Sequence, residues 1–232
     1  MLNHSPKNQL EPIIKQLREI DHVKIIRIGT KVPAFNPFRI LNDPSLLEMF
    51  KTYSTNEKKI YVMAHFNHPR ELTPEAIEGL NLLMKSGVSL VNQTPLVQGV
   101  NDDPEVLADL FSKLSFIGVP PYYVFLCRPT LGNETYSVPV ERGYEIFEKS
   151  RTLCSGLAKR ARLVMSHESG KIEVVGMTEE QIFFKYTRSA AKDNNARFMA
   201  FYRDSTACWF DDYKEAVDEF SLFSETTSIG CL

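Results

Sequence analysis

The chain has 232 residues and a mass of 26.5 kDa; 43% of its residues are hydrophobic and 24% are charged. This composition is that of a folded domain with a core, which excludes disorder over the whole length. The formal net charge is −2 and no long basic run occurs, which argues against nucleic acid as a partner.

Membrane insertion and secretion are not predicted either. No apolar stretch reaches the roughly 18 residues that a spanning helix needs, and residues 1–6 lack the features of a signal peptide. The sequence therefore predicts a cytoplasmic protein with no membrane partner. The cysteines are scattered singly, so we expect reduced thiols rather than a zinc site or a disulfide scaffold. They are Cys127, Cys154, Cys208 and Cys231.

Helix and strand patterns alternate over the first two thirds of the chain. Pro44 and Pro74 each suit the first position of a helix, and Thr73 is a predicted N-cap. The predicted helices begin near residues 9, 44, 74, 104 and 140, and the predicted strands cover residues 23–28, 59–66, 88–94 and 122–127.

The spacing of these strands, about 30 residues, matches repeated βα units with right-handed crossovers. Beyond Gly156, four short strand patterns follow without helices, at residues 161–166, 171–175, 181–186 and 198–202. The predicted fold class is α/β: a partial parallel (β/α) barrel, or half-barrel, with a C-terminal antiparallel β extension. The predicted domains are residues 1–156 and 157–232.

The parallel part is too short for a closed barrel, which takes about 250 residues. The first strand would then be a bare parallel edge, which is costly to expose. We therefore expect either an open sheet covered at that edge or the back half of a longer protein.

Polar residues cluster where the predicted parallel strands end, which is where such sheets bind ligands. The clusters are residues 29–33, 65–71, 92–93 with 99–102, and 127–128. Loops are polar in any case, so this placement favours a lined cavity without requiring one.

His65 and His68 raise the possibility of a metal site, but their spacing argues against it. Alternate residues of a strand share a face, so His65 and Asn67 point together while His68 points away. No third ligand has a zinc-like spacing. We expect His65 to hydrogen-bond a ligand or a neighbouring strand, whereas His68 could instead cap the turn before Pro69.

Lys171 follows Glu168-Ser169-Gly170 between two predicted strands. One interpretation is a solvated lysine beside a hairpin turn. The other is a Schiff-base lysine that binds the aldehyde of pyridoxal phosphate at the wall of a cavity. The pattern alone leaves both open.

Three segments carry a resemblance to a known family: residues 63–73, residues 91–93 with 99–102, and residues 120–127. Together they resemble the lysine 2,3-aminomutase family of radical S-adenosylmethionine enzymes, over residues 10–171. The resemblance implies a partial (β/α) barrel and a [4Fe–4S] cluster that cleaves S-adenosylmethionine. The resulting radical takes hydrogen from an amino acid held on pyridoxal phosphate, and the amino group migrates to the neighbouring carbon.

Two features of that family are missing from the sequence. No C-x₃-C-x₂-C motif supplies thiolates for the cluster, and no Gly-Gly-Asp segment precedes the first helix. We therefore expect the C-terminal portion of a longer enzyme, arising by truncation or gene splitting and inactive by itself. The expected partners are an amino acid substrate and either the missing N-terminal half or a second copy of the chain.

The resemblance also implies roles for individual residues. Lys171 falls at the position of the family's pyridoxal lysine, although the preceding glycine run is shortened to Ser169-Gly170. His65, Asn67 and Gln93 match strand-end positions that face S-adenosylmethionine and its surroundings.

Substrate choice is expected to depend on Arg128 and Ser166, which stand where lysine-specific members place carboxylates that bind the distant ammonium. A guanidinium there reverses the charge, which predicts an acidic substrate, glutamate before aspartate. The alternative is that Arg128 turns outward or pairs with Glu134.

Three other functions stay open at this point. They are a different radical S-adenosylmethionine reaction on the same scaffold, a catalytically inactive fragment or interaction module, and a metal-dependent barrel hydrolase.

Overall fold

The computed structural model describes residues 6–214 and 216–220. They belong to two compact units: the described residues up to 94, with 106–122 and 154–160, form the first, and residues 95–105, 123–153 and the described residues from 161 onward form the second. The predicted domain boundary after residue 156 stays a prediction. Cys231 lies outside the described residues, and so does the prediction made for its thiol.

The first unit is built from a parallel sheet and the helices that connect its strands. Its elements are α1 (Pro6–Arg18), β1 (Ile25–Thr30), α2 (Val32–Phe35), α3 (Phe38–Leu41), α4 (Pro44–Tyr53), β2 (Lys59–Ala64), α5 (Pro74–Lys85), most of β3 (Ser89–Leu96) and most of α6 (Pro104–Ile117). β1 pairs with β2, and β2 with β3, both in parallel. The predicted βα repeat is therefore present here.

The helix starts follow from local chemistry that the sequence displays. The side chain of Asp43 accepts a hydrogen bond from the N–H of Leu46, and that of Thr73 from the N–H of Ala76. Each cap precedes a proline, whose missing N–H costs nothing in the first turn. The short helices α2 and α3 were not predicted, because four residues are too few to show a helical period.

The core of the first unit lies between the sheet and these helices. Ile60, Leu80, Leu110 and Leu114 are fully buried there, and each such side chain contributes about 1.5–3 kcal/mol by leaving water. Strand residues on the opposite face, such as Val91 and Gln93, are only half-buried. That more open face is the one available to a ligand.

The second unit continues the βα pattern and then becomes antiparallel. Its elements are most of β4 (Pro121–Leu126), α7 (Val140–Thr152), β5 (Arg162–His167), β6 (Gly170–Met177), β7 (Gln181–Ser189), β8 (Phe198–Tyr202) and β9 (Ala216–Phe220). β4 and β5 are parallel, and β5 through β9 pair in antiparallel order. The predicted fold class, α/β with a parallel part followed by an antiparallel extension, is confirmed.

One detail of that prediction was wrong. The strand predicted at residues 161–166 was assigned to the antiparallel extension, but β5 pairs in parallel with β4, with Tyr123 opposite Arg162. The helix α7 supplies the crossover that a parallel pair needs. β9 was not predicted. Among the described residues, no helix is long and apolar enough to cross a lipid bilayer.

Candidate active site

Two predicted site residues come together where the chain leaves β2 beside the middle of β3. Nε2 of His65 lies 3.3 Å from Oε1 of Gln93, and both side chains are half-buried. The strand register explains this contact, because Ala64 lies opposite Asn92 and the next residue of each strand points to the open face. The pair can offer hydrogen bonds to a ligand on that face.

A buried amide holds the chain immediately after His65. Oδ1 of Asn92 accepts from the N–H of Phe66 at 2.8 Å, and Nδ2 donates to the carbonyl oxygen of Phe66 at 3.2 Å and to Oγ1 of Thr94 at 2.7 Å. Asn92 is completely buried, so its polar atoms need these partners. Its role is to fix the backbone that orients His65.

The loop that carries Asn67 is held by a carboxylate that the sequence analysis did not single out. Oε2 of Glu71 accepts from the N–H of Asn67 at 2.5 Å, and Oε1 lies 2.6 Å from Nζ of Lys31. This ion pair joins the loop after β2 to the end of β1. The spacing of His68 and Glu71, typical of a capping box, was a sequence signal for this arrangement.

His68 has the capping role that the sequence left open. Its Nδ1 accepts from the N–H of Arg70 at 3.1 Å, at the start of the short 3₁₀ helix Pro69–Glu71. Within the described residues, no three His, Cys, Asp or Glu side chains are grouped so that they could share a metal ion.

A cavity of about 500 Å³ opens in the first unit, mainly apolar but with one guanidinium in its wall. Its lining residues are Ile25, Arg27, Tyr61, Met63, Val91 and Tyr122. Met63 and His65 are alternate residues of one extended segment, so the cavity and the His65–Gln93 pair lie on the same face.

Lys171 and Ser166 come together in the second unit. They are opposite each other across β5 and β6, and Nζ of Lys171 donates to Oγ of Ser166 at 3.0 Å. The ammonium also lies 4.5 Å from the ring centre of Phe125 and 4.7 Å from that of Tyr123. Lys171 does follow a hairpin turn, but it is half-buried against two aromatic rings rather than simply solvated.

Arg128 lies just beyond the end of β4 and is exposed. Its backbone carbonyl accepts from Nδ2 of Asn133 at 2.7 Å. The alternative ion pair with Glu134 is not present among the residues that the structure describes, where Glu134 instead accepts from the N–H of Gly132 at 3.4 Å. The side chain of Arg128 is exposed to solvent, in agreement with the alternative that Arg128 turns outward.

The described cysteines do not suit an iron–sulfur cluster. Sγ of Cys127 donates to the carbonyl oxygen of Leu96, that of Cys154 to Ala108 and that of Cys208 to Thr206. Burial raises the pKa of the Cys127 thiol and of the Cys208 thiol, which disfavours the thiolate form that binds iron.

Comparison with known proteins gives the following matches. The chain is 56% identical over 213 residues to an Aquifex aeolicus protein assigned by name to the L-lysine 2,3-aminomutases, covering 91% of this chain and 57% of that protein. It is 44% identical over 147 residues to L-lysine 2,3-aminomutase of Clostridium subterminale, covering 63% of this chain and 34% of that protein. The chain belongs to the lysine 2,3-aminomutase family.

A further relative is named for a different substrate. Glutamate 2,3-aminomutase of Clostridioides difficile is 37% identical over 161 residues, covering 69% of this chain and 37% of that protein. The chain thus spans between about a third and about three fifths of the length of these three relatives.

No protein-family model matches the chain. A solved radical S-adenosylmethionine methyltransferase from Sphaerobacter thermophilus aligns with a TM-score of 0.42 at 18% identity, covering 61% of this chain and 40% of that one.

Proposed function

We propose that this chain forms the part of a radical S-adenosylmethionine, pyridoxal phosphate-dependent amino acid 2,3-aminomutase that holds the pyridoxal phosphate. Membership of the family supports the reaction class. The observation that carries the proposal is the environment of Lys171, a partly buried residue whose primary amine lies beside two aromatic rings and one hydroxyl.

That environment fits pyridoxal phosphate. The cofactor supplies an aldehyde that reacts with an amine and a conjugated ring that spreads electron density from the reacting carbon. Lys171 would be the protein's amine, held in place by Ser166, while Tyr123 and Phe125 offer flat apolar surface beside it. Aromatic rings favour such offset or edge contacts with another ring.

His65, Asn67 and Gln93 are proposed to face S-adenosylmethionine. The contact between His65 and Gln93 pre-orients two hydrogen-bonding side chains, and Glu71 fixes the loop that contains Asn67. Preorganised polar groups lose less entropy when a ligand binds.

The cluster that cleaves S-adenosylmethionine does not fit the three cysteines that the structure describes, so we propose that its thiolates come from another part of the enzyme or another polypeptide. The chain by itself is then expected to form no [4Fe–4S] cluster. Anaerobic reconstitution with iron and sulfide tests this. Stoichiometric cluster and release of 5′-deoxyadenosine by the isolated chain would contradict the proposal.

The proposed substrate has an acidic side chain, with glutamate preferred to aspartate. Arg128 presents an open guanidinium, which pairs with a carboxylate and repels the distant ammonium of lysine. One relative is named for glutamate, although the relatives of higher identity are named for lysine, so the choice rests on Arg128. In the assembled enzyme, Arg128→Asp should lose turnover of glutamate, and turnover of lysine by the unmodified enzyme would reject this substrate.

Reductive labelling tests the central role of Lys171. The chain is incubated with pyridoxal phosphate, reduced with borohydride and digested, and the pyridoxyl group is located by peptide mass mapping. We expect the label on Lys171 and no comparable label in Lys171→Arg. Exposed Lys51 serves as the internal reference; equal labelling of both lysines would favour the alternative, a catalytically inactive interaction module.

A further inference from the structure

The turn between β5 and β6 carries a series of side-chain hydrogen bonds that the proposed chemistry does not use. Nδ1 of His167 lies 2.7 Å from Oγ of Ser169, which lies 2.8 Å from the hydroxyl of Tyr186. Nε2 of His167 lies 2.9 Å and 3.0 Å from the two carboxylate oxygens of Asp211. Asp211 is 44 residues further along the chain, so these bonds tie the turn to a distant segment.

The contacts select one form of the imidazole. The backbone N–H of Ser169 donates to Nδ1 of His167 at 3.2 Å, so Nδ1 acts as an acceptor and carries no proton. The ring proton is then on Nε2, which donates it to Asp211. The orientation of the ring is thus fixed from both sides.

The histidine and its carboxylate partner differ in exposure. The side chain of His167 is 7% exposed, and its ring centre lies 5.6 Å from that of Phe210 and 6.2 Å from that of Trp209. The side chain of Asp211 is 67% exposed. Asp211 can therefore be replaced without opening the core.

The turn separates the two residues that meet at the candidate site. Ser166 lies opposite Lys171, and His167 lies opposite Gly170. Side chains alternate between the faces of a strand, so a slip of one residue would move Lys171 to the other face of the sheet. Its ammonium would then leave the rings of Tyr123 and Phe125.

We propose that His167 is a positioning residue: held by Asp211, it fixes the β5–β6 register that keeps the amine of Lys171 against the two rings. The inference rests on the proposed function in that Lys171 is taken as the amine used by pyridoxal phosphate. His167 acts only through the turn.

The test compares Asp211→Ala with Asp211→Asn in the full chain. The asparagine side chain keeps an oxygen that accepts from Nε2 of His167, whereas alanine does not. The first measurement is the rate at which acetic anhydride modifies Lys171 relative to exposed Lys51, obtained by peptide mass mapping. The second is the tautomer of the His167 ring, read from the NMR signals of its nitrogens. Neither measurement needs pyridoxal phosphate.

In the unmodified chain we expect Lys171 to react severalfold more slowly than Lys51, because its side chain is partly buried and its ammonium is stabilised by two rings. Asp211→Ala should raise the relative rate of Lys171 severalfold and disturb the His167 tautomer. Asp211→Asn should retain both native values. An unchanged relative rate in Asp211→Ala, or an equal increase in Asp211→Asn, would overturn the proposal.

Pyridoxyl mapping on the same three proteins separates this inference from the proposed function. If the acetylation rates respond as expected but no pyridoxyl group is found on Lys171 in any of them, the positioning role stands and the cofactor assignment fails. If the unmodified chain is labelled on Lys171 and Asp211→Ala is labelled equally well, the positioning role fails alone.

Discussion

The ammonium of Lys171 lies 4.5 Å from the ring centre of Phe125, although the two residues belong to strands that are not neighbours along the chain. A cation over an aromatic face is worth about 0.5–1 kcal/mol at a partly exposed site. This contact favours a lysine side chain whose ammonium lies against aromatic rings of β4 instead of extending freely into solvent.

A double-mutant cycle measures that contact directly. Phe125→Leu keeps an apolar side chain but removes the ring, and Lys171→Met keeps the length but removes the charge. We expect a coupling of about 0.5–1 kcal/mol in the free energy of unfolding, obtained from urea titrations. Phe125→Leu combined with Lys51→Met is the control and should show no coupling, and zero coupling for the first pair would refute the contact.

Gly170, immediately before Lys171, should not tolerate a side chain. Its φ is +150°, and an added Cβ would overlap the carbonyl oxygen of Arg188. Gly170→Ala is expected to lower the free energy of unfolding by about 1–3 kcal/mol, because the strained backbone and the overlap must both be relieved. Gly156→Ala is the matched control, since its Cβ would meet nothing within 4 Å; similar losses in both variants would contradict this account.

Stability should depend on pH through Glu173. Burial raises the pKa of this carboxyl above its ordinary value of 4.5, and Arg162, whose Nη1 lies 3.6 Å away, acts in the opposite direction. The folded chain therefore binds this proton more tightly than the unfolded chain does, so its contribution is present below pH 4.5 and is lost as the pH rises through the raised folded value.

Glu173→Gln removes that titration. Urea titrations at a series of pH values should show a smaller fall in the free energy of unfolding between pH 4.5 and neutrality than in the unmodified chain. If the free energy of unfolding falls equally with pH in the two proteins, Glu173 is not the source of the pH dependence.

Replacing Tyr213 by phenylalanine is expected to stabilise the folded chain. Its ring packs against Phe184 and Phe201, but its buried hydroxyl has no hydrogen-bond partner among the described residues. Tyr213→Phe should raise the free energy of unfolding by about 1 kcal/mol. Tyr186→Phe is the control: it loses a hydroxyl that lies 2.8 Å from Oγ of Ser169 and should be destabilised.

The same substitution should change the alkaline limb of the stability curve. Burial raises the pKa of the Tyr213 hydroxyl well above its ordinary value of 10, so the unmodified chain loses stability as the pH rises above 10. Tyr213→Phe should lack this loss. An identical alkaline limb in both proteins would argue against the burial of an ionisable hydroxyl here.

The sequence by itself determined the succession of elements in the parallel part. Helix caps and prolines act within a few residues of a helix start. Thr73 with Pro74 therefore predicted the start of α5, and Pro44 predicted the start of α4. The family could also be recognised from the sequence, because residues 63–73, which carry much of the resemblance, form one continuous segment. His65 and Gln93 could each be named as candidates because each lies near the C-terminal end of a predicted strand, but their contact with each other was not predicted.

Only the tertiary structure decided what surrounds Lys171 and which strand β5 joins. Ser166 meets Lys171 through the register of a hairpin, and Phe125 comes from β4, more than forty residues earlier. The partner of His167 is Asp211, 44 residues later. Such contacts arise when distant segments fold together to bury apolar surface, and local periodicity records which residues face the core but not which distant residue they meet there.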